Sequence, residues 1–309
     1  MKKKIMLVII AGLLLISTGC TKYVSNDDKK TVTAEETGQN LTANLLCKPT
    51  DEKLLEQYKE YEDKLTVKLD DLPECKDFKI NSLEYVGIWE SVFVKPLAWL
   101  ILQVGKLVGN LGGAVMLVAL AIRLILLPIG IKTAKQSENM KKAQPEINRI
   151  EKKYENKTDT DSQMAKSQET MMVYKKYNMN PVSGCLMSFV QLPIFFAFLE
   201  AINRVPAIFE GTFLGMHLGM KPWVGISNGN FLYIILIILI FVTTFFSFRN
   251  SMQSAGDNEA AKQMQFMSKF MIIFISIASI TLPTAIALYW VVSNGFSVLQ
   301  NFIVKRSSK

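Results

Sequence analysis

The sequence predicts an all-α membrane protein, with five transmembrane helices around a hydrophilic groove and a helical hairpin in the cytoplasm. Composition is the first reason: half of the 309 residues are hydrophobic, and charged residues form blocks between the apolar runs. Length is the second, because several runs approach the roughly 20 apolar residues that a helix needs to cross a bilayer. The third is that basic residues gather in alternate loops, which is typical of the cytoplasmic side of membrane proteins.

Residues 1–19 are predicted to be a signal peptide, because three lysines precede a short apolar core and small residues follow. The segment ends at Gly19 and Cys20 and resembles a bacterial lipobox. We therefore expect Cys20 to be lipidated and to become the mature N-terminus, outside the membrane. Ordinary signal cleavage and an uncleaved anchor are the alternatives.

Residues 20–90 are polar and mostly acidic, and they are predicted to form a small extracytoplasmic region. Cys47 and Cys75 are the only other cysteines in this exported part. Export favours a disulfide between them, with free thiols as the alternative. Residues 91–109 hold leucines and aromatic residues between lysines, and they predict an amphipathic helix on the outer surface. The alternative is that this helix merely extends the first span.

The first predicted span, residues 110–131, carries a single charge, Arg123. Arg123 is nine residues from Lys132, or roughly 13 Å at 1.5 Å per residue. A charge at that depth costs at least ~2.5–3.5 kcal/mol, so we expect Arg123 to face a wet or polar interior. Snorkelling to the headgroups is the alternative. Pro128 predicts a kink at the inner end.

Residues 132–180 form a strongly basic block, which the positive-inside rule places in the cytoplasm. Two helical stretches, about 134–156 and 161–177, predict an antiparallel hairpin. We expect Met140, Ile147 and Ile150 of the first helix to face Met164, Met171 and Met172 of the second. Such a hairpin suits a ribosome, a nascent chain or anionic lipid, and the alternative is a solvated loop whose charges only fix topology.

Four further spans are predicted, at about 183–203, 231–248, 266–282 and 285–304. Gln191 is a polar residue within the second span. Polar residues repeat at helical spacing along the last span and make one stripe. The stripe comprises Trp290, Ser293, Asn294, Ser297, Gln300 and Asn301.

The sequence offers no pattern typical of an enzyme. It has one histidine and four scattered cysteines, so no metal set is predicted, and it has no Gly-rich phosphate loop, paired catalytic carboxylates or catalytic triad pattern. We expect no cofactor. The net charge of +8 is explained by the basic residues that membrane proteins concentrate in their cytoplasmic loops. Binding to a specific nucleic acid sequence is therefore not expected.

Four motifs, in order along the chain, resemble the YidC-type membrane protein insertases of the Oxa/YidC family, in the lipoprotein-like form found in bacteria with a single membrane. The resemblance covers about 91–306, and residues 21–90 do not match the family pattern. The motifs are ALAIRLILLPI around Arg123, QPEINRIEKKY at 144–154, NPVSGCLMSFVQLPIFFAFLEAI at 180–202 and LPTAIALYWVVSNGFSVLQ at 282–300.

The resemblance implies a groove that is open to the cytosol and to lipid but closed on the outside. Arg123, Gln191 and Trp290 match groove positions of the family, and the polar stripe adds Asn294 and Ser297. The implied function is the insertion, folding and assembly of integral membrane proteins, with lipoproteins as a further class of substrate. The family performs no covalent chemistry. Nascent membrane proteins and the lipid bilayer are the expected partners, with the Sec translocon and the ribosome as candidates.

The implied location is the plasma membrane, with a lipid-anchored N-terminus outside and the C-terminus in the cytoplasm. Two other functions stay open from the sequence. A small-solute transporter is one, although no internal repeat is found among the spans. A membrane assembly factor without insertase activity is the other.

Overall fold

The computed structural model describes residues 21–178, 183–254 and 259–307, and it is mostly helical. The predicted signal peptide 1–19 and Cys20 lie outside the described residues. Three short 3-10 turns lie at Glu62–Lys64, Leu69–Asp71 and Cys75–Asp77, and a π-helical turn lies at Glu90–Val94. The two strands, β1 (Thr212–Phe213) and β2 (Met216–His217), pair antiparallel. The α-helices are α1 (Glu52–Glu60), α2 (Lys95–Val108), α3 (Leu111–Ile125), α4 (Leu127–Lys153), α5 (Thr160–Lys176), α6 (Ser183–Arg204), α7 (Pro206–Glu210), α8 (Pro222–Ser227), α9 (Leu232–Ser254), α10 (Glu259–Thr281) and α11 (Thr284–Ser307).

The apolar helices confirm a helical membrane protein, and length and composition identify three or four candidate spans among the described residues. Among the described residues, three helical stretches are long and apolar enough to cross a bilayer: Glu90–Val108, Leu232–Arg249 and Thr284–Arg306. A bent pair, α3 with α4, makes a fourth if it is counted as one span. Shorter apolar stretches lie in α6 and α10. The count of five spans and the groove therefore stay predictions.

The residues predicted as a surface helix form a stretch that satisfies the length and composition of a span. Glu90–Val108 is 19 residues long and includes the π-helical turn and α2. α2 ends at Gly109, whose φ of 72° is left-handed, a conformation that glycine adopts without a Cβ clash. The chain then starts α3 as a separate helix. The surface position of 91–109, and its alternative as an extension of the first span, stay predictions.

The predicted first span is broken at Leu126, where α3 and α4 meet at a bend of 65°. Pro128 lies in the first turn of α4 and has no N–H to continue the hydrogen-bond ladder of α3. The kink expected at Pro128 is thus present. The helix beyond it runs without interruption to Lys153, so the first hairpin helix begins earlier than the predicted residue 134.

The chain divides into two compact units. Unit 1 comprises the described part of Met1–Ala121 together with Gln191–Ile238 and Ala278–Tyr289. The region predicted to be extracytoplasmic has a small core, in which the buried residues are Val24, Leu41, Ala43, Leu45, Tyr58, Leu69 and Leu72. The sulfur atoms of Cys47 and Cys75 are bonded, and both residues are buried.

Unit 2 comprises Ile122–Val190, Leu239–Ile277 and Trp290–Lys309, in its described part. Its most distinct feature is the hairpin of α4 and α5, whose core is Ala143, Ile147 and Val173. Met140 and Ile150 pack on this core, together with Tyr174 and Tyr177.

The predicted facing of methionines across the hairpin is wrong for α5. Met164, Met171 and Met172 are exposed by 56%, 56% and 61%, respectively. The physical reason is that Val173 and the two tyrosines after it fill the space beside Ile147, so α5 turns its methionines outward.

Candidate functional site

Arg123 belongs to unit 2 and lies on the last turn of α3, two residues before that helix ends. Only 8% of the residue is exposed, although the neighbouring Leu124 and Ile125 are exposed by 53% and 76%. The charged side chain is therefore turned into the protein while the apolar residues beside it face outward. Snorkelling would have left the arginine exposed, so burial favours an inward role for the charge.

The polar stripe of α11 is also turned inward in unit 2. Trp290, Ser293 and Asn294 are exposed by 5%, 2% and 7%, respectively. The Asn294 amide Nδ2 donates a hydrogen bond to Oγ1 of Thr244 on α9, at 2.8 Å. About two turns farther along α11, Asn301 Nδ2 donates to the backbone oxygen of Ser247, at 3.4 Å. The stripe therefore packs along the polar end of α9.

Two serines on the same stripe are bonded differently. Ser297 is partly buried, and its Oγ donates to the backbone oxygen of Ser293 one turn earlier, at 3.0 Å. Ser293 Oγ is buried and has no hydrogen-bond partner among the described residues. Buried hydroxyls nearly always have a partner, so this one is expected to bind water or a ligand.

The start of α4 passes close to the far end of the stripe. A Cβ atom added to Gly130 would lie 2.5 Å from Gln300 Oε1 on α11, so any other residue would require the Gln300 side chain to shift. Gly130 follows the bend in the chain after Arg123. The bend thus brings the helix that follows the arginine against the polar stripe.

Gln191 belongs to unit 1, where it is half-buried. Its Nε2 donates to the hydroxyl of Tyr289 at 2.6 Å. The Tyr289 ring packs on Phe198, with ring centroids 4.4 Å apart. Sequence reasoning missed Tyr289, although it directly precedes Trp290. Its partner Gln191 stays a predicted substrate contact.

Sequence reasoning also missed Thr244 as the partner of Asn294, although polar residues at the end of that span are visible in the sequence. It further missed a buried charge cluster in unit 1, formed by Glu90, Lys95, Glu200 and Arg204, which are exposed by 2–5%. The sequence did contain a signal for this cluster, because Glu200 and Arg204 are opposite charges four residues apart on an apolar helix.

The described side chains of unit 2 can hydrogen-bond and attract negative charge. The described residues hold no group of three or more His, Cys, Asp or Glu placed to bind a metal ion. Chemically, the site offers a buried cation and a row of neutral polar groups inside apolar helices. Such a surface solvates a polar chain.

Comparison with known proteins shows the family to which the chain belongs. The family model described as 60Kd inner membrane protein matches residues 103–309. The chain is 37% identical over 223 residues to the membrane protein insertase YidC of Oceanobacillus iheyensis, covering 71% of this chain and 84% of the relative. It is 38% identical over 218 residues to the membrane protein insertase MisCA of Bacillus subtilis, covering 70% and 79%.

A solved crystal structure of an active YidC insertase, with its first transmembrane domain resolved, is 28% identical and has a TM-score of 0.49. That match covers 72% of this chain and 47% of the solved chain, so this chain spans about half of that protein. The matched family region begins at residue 103, which leaves the extracytoplasmic region outside it. The family model and the two sequence relatives confirm the sequence resemblance, and the chain belongs to the 60Kd inner membrane protein family.

Proposed function

We propose that this chain is a membrane protein insertase, which assists the insertion, folding and assembly of integral membrane proteins. The observation that carries the proposal is the burial of Arg123 together with the polar stripe of α11 in one unit built from apolar helices. Relatives 34–40% identical to this chain are named membrane protein insertases, which supports the same function here.

The first step of the proposed mechanism is a lowered desolvation cost. A polar group taken from water into hydrocarbon without a partner costs roughly 2–7 kcal/mol. Asn294, Ser293, Ser297 and Trp290 would offer hydrogen bonds to such groups within the bilayer, and Arg123 would offer a positive charge. A short polar or acidic segment of a substrate would therefore cross more easily along this surface.

The second step is release into lipid. A substrate's apolar segment of about 20 residues gains free energy when it leaves water for hydrocarbon, and no nucleotide is needed to drive it. The protein lowers the barrier and the apolar segment supplies the driving force. No covalent bond changes, so we propose that the chain is not an enzyme.

The proposed topology has five spans, an N-terminus outside that is anchored by lipid on Cys20, and a C-terminus in the cytoplasm of a cell with a single plasma membrane. The basic loop 132–180 supports this orientation through the positive-inside rule. The hairpin of α4 and α5 would then receive nascent chains in the cytosol. Its exposed methionines suit that role, since flexible methionine surfaces accept varied apolar partners.

Depletion of this protein, followed by protease mapping of newly made membrane proteins, tests the proposal. We expect substrate segments to stay accessible on the cytoplasmic side after depletion and to recover with wild-type protein. Solute uptake should be unchanged. Loss of uptake with normal insertion would point to a transporter, and normal insertion with defective complex formation would point to an assembly factor.

A further inference from the structure

The extracytoplasmic region contacts the end of α6 through one stretch, residues 42–51, which we call the docking segment. Thr42 Oγ1 donates to the backbone oxygen of Asn203 at 2.7 Å. The backbone N–H of Leu46 donates to the backbone oxygen of Arg204 at 2.8 Å. The docking segment thus caps carbonyl groups that the helix end would otherwise leave without partners.

The far end of the docking segment is held by Glu210 on α7. Its carboxylate accepts from the backbone N–H groups of Thr50, at 2.8 Å, and Asp51, at 3.1 Å. The Thr50 hydroxyl donates to the same carboxylate. The docking segment is therefore fastened to the end of α6 at one end and to α7 at the other.

The Arg204 side chain ties the docking segment to two further elements. Its Nε donates to the backbone oxygen of Asn44 at 2.7 Å. Its Nη2 lies 2.7 Å from Glu90 Oε2, just before α2, and its Nη1 lies 3.8 Å from Glu200 Oε2 on α6. Arg204 is exposed by only 2%. One buried guanidinium therefore joins the extracytoplasmic region, the start of α2 and the end of α6.

Lys95 completes the cluster from α2. Its Nζ donates to the backbone oxygens of Leu83 and Glu84, at 3.0 and 2.8 Å, and lies 3.5 Å from Glu90 Oε1. Trp89 Nε1 donates to Glu200 Oε1 at 2.9 Å. Two buried cations thus face two buried anions. Such clusters stabilise less than apolar packing would, but removing one member leaves an uncompensated charge, so the arrangement specifies one geometry.

We propose that the extracytoplasmic region is a clamp on the outer ends of α2 and α6, and that Arg204 is the positioning residue through which the clamp acts. The clamp holds these two ends together while a substrate moves through the protein. The contacts above support the clamp itself. Its effect on insertion rests on the proposed insertase function and topology. The matched family region begins at residue 103, so the clamp is outside it.

The test is hydrogen exchange of the docking segment in the full-length protein in lipid, beside an insertion assay. Arg204→Met alone would leave two buried carboxylates facing one lysine and risks misfolding. The paired change Arg204→Met with Glu200→Gln keeps one cation and one anion, so we expect it to fold. Losing the charged hydrogen bond to Asn44 should speed exchange in residues 42–51 by about tenfold, and insertion should slow.

Two further variants make the test specific. Arg204→Lys keeps the charge but lacks the planar donor fork, so exchange should still be faster than in wild-type protein. Lys64→Met is the matched control, because it breaks an ion pair with Asp27 that is 2.9 Å long and exposed within the same region. We expect no change in exchange of the docking segment or in insertion from the control.

Unchanged exchange in the paired variant, or equal acceleration by Lys64→Met, would overturn the clamp. Faster exchange with undiminished insertion would refute its role in insertion. A wild-type protein that inserts no substrate would instead count against the proposed function, while the exchange data would still decide whether Arg204 holds the clamp.

Discussion

At the scale of single residues, the burial of Arg123 raises the question of what its charge does. At an effective dielectric constant of ~20, two unit charges 4 Å apart attract by about 4 kcal/mol before desolvation is subtracted. Even a quarter of that would matter for a step with a small net driving force. Direct attraction and the organisation of water by the guanidinium make different predictions for substrate charge.

We predict that Arg123→Ala blocks insertion of substrates with acidic translocated segments and has less effect on neutral ones. Arg123→Lys should keep most activity, because charge attraction does not need the planar donor fork. The measurement is an insertion assay that pairs both variants with substrates whose acidic residues have been neutralised. Equal insertion of acidic and neutralised substrates by Arg123→Ala would exclude charge attraction, as would a lysine variant as defective as alanine.

A second prediction at this scale concerns the buried hydrogen bond between Asn294 and Thr244, 2.8 Å long. Thr244→Val should lower the free energy of unfolding of unit 2 by about 1–3 kcal/mol, because the Asn294 amide loses its partner. Thr243→Val is the matched control, since the Thr243 hydroxyl bonds only backbone oxygens of its own helix. Thermal unfolding in detergent measures both. Equal destabilisation by the two variants would contradict the importance of the bond.

At the scale of elements, the hairpin is held by the same arrangement near each end. Glu146 on α4 accepts from Lys176, at 2.5 Å, and from the Tyr177 hydroxyl, at 3.1 Å. Glu169 on α5 accepts from Lys153, at 2.6 Å, and from the Tyr154 hydroxyl, at 2.9 Å. Each carboxylate thus accepts hydrogen bonds from a lysine and a tyrosine on the other side of the hairpin. These bonds compensate for a core of three buried residues.

These bonds predict that the hairpin loosens in acid. The lysine hydrogen bonds hold the pKa of Glu146 and the pKa of Glu169 below their usual values. A carboxyl whose pKa is lower in the folded state stabilises that state above its unfolded pKa, and the contribution is lost as pH falls through the folded pKa. The protection of amides in α4 and α5, corrected for their slower intrinsic exchange in acid, should therefore fall as the pH is lowered below the usual glutamate range.

The pair Glu146→Gln and Glu169→Gln should raise exchange at neutral pH and remove most of the acid dependence. Glu138→Gln is the control, because Glu138 pairs with Lys141 on its own helix and joins nothing across the hairpin. Acid dependence that persists in the double variant would assign the effect to other groups.

At the scale of the whole molecule, the region proposed to be extracytoplasmic must hold its shape with a small core of its own. The bond between Cys47 and Cys75 has a sequence separation of 28 residues. Loop-closure entropy makes such a cross-link worth about 3–4 kcal/mol. Cys47 also directly follows Leu46 of the docking segment, so the cross-link restrains the segment that meets α6.

We predict that Cys47→Ser with Cys75→Ser destabilises the extracytoplasmic region by about 3–4 kcal/mol. Denaturant unfolding followed by tryptophan fluorescence measures the change, and Cys185→Ser serves as the control. Non-reducing peptide mapping of protein from intact cells should recover the two cysteines linked. Recovery of both as free thiols would refute the cross-link in the cell.

Much of the function could be predicted from the sequence, because the features that indicate it lie close together along the chain. The cost of burying backbone in lipid forces apolar runs of a set length into helices. A charge within the bilayer is also costly, so a single arginine in such a run indicates a functional position. The stripe on α11 also follows from helical spacing alone, and Trp290, Ser293 and Asn294 are indeed buried together.

The tertiary structure decided which groups meet, because those partners are far apart in the chain. Asn294 is 50 residues from Thr244, and Arg204 is 160 from Asn44. No periodicity encodes such pairs. Packing also reversed the methionine face of α5, since Val173 and the tyrosines fill the hairpin core instead. Sequence determined the membrane character, the buried charge and the family, whereas long-range packing decided the clamp and the partners of each polar side chain.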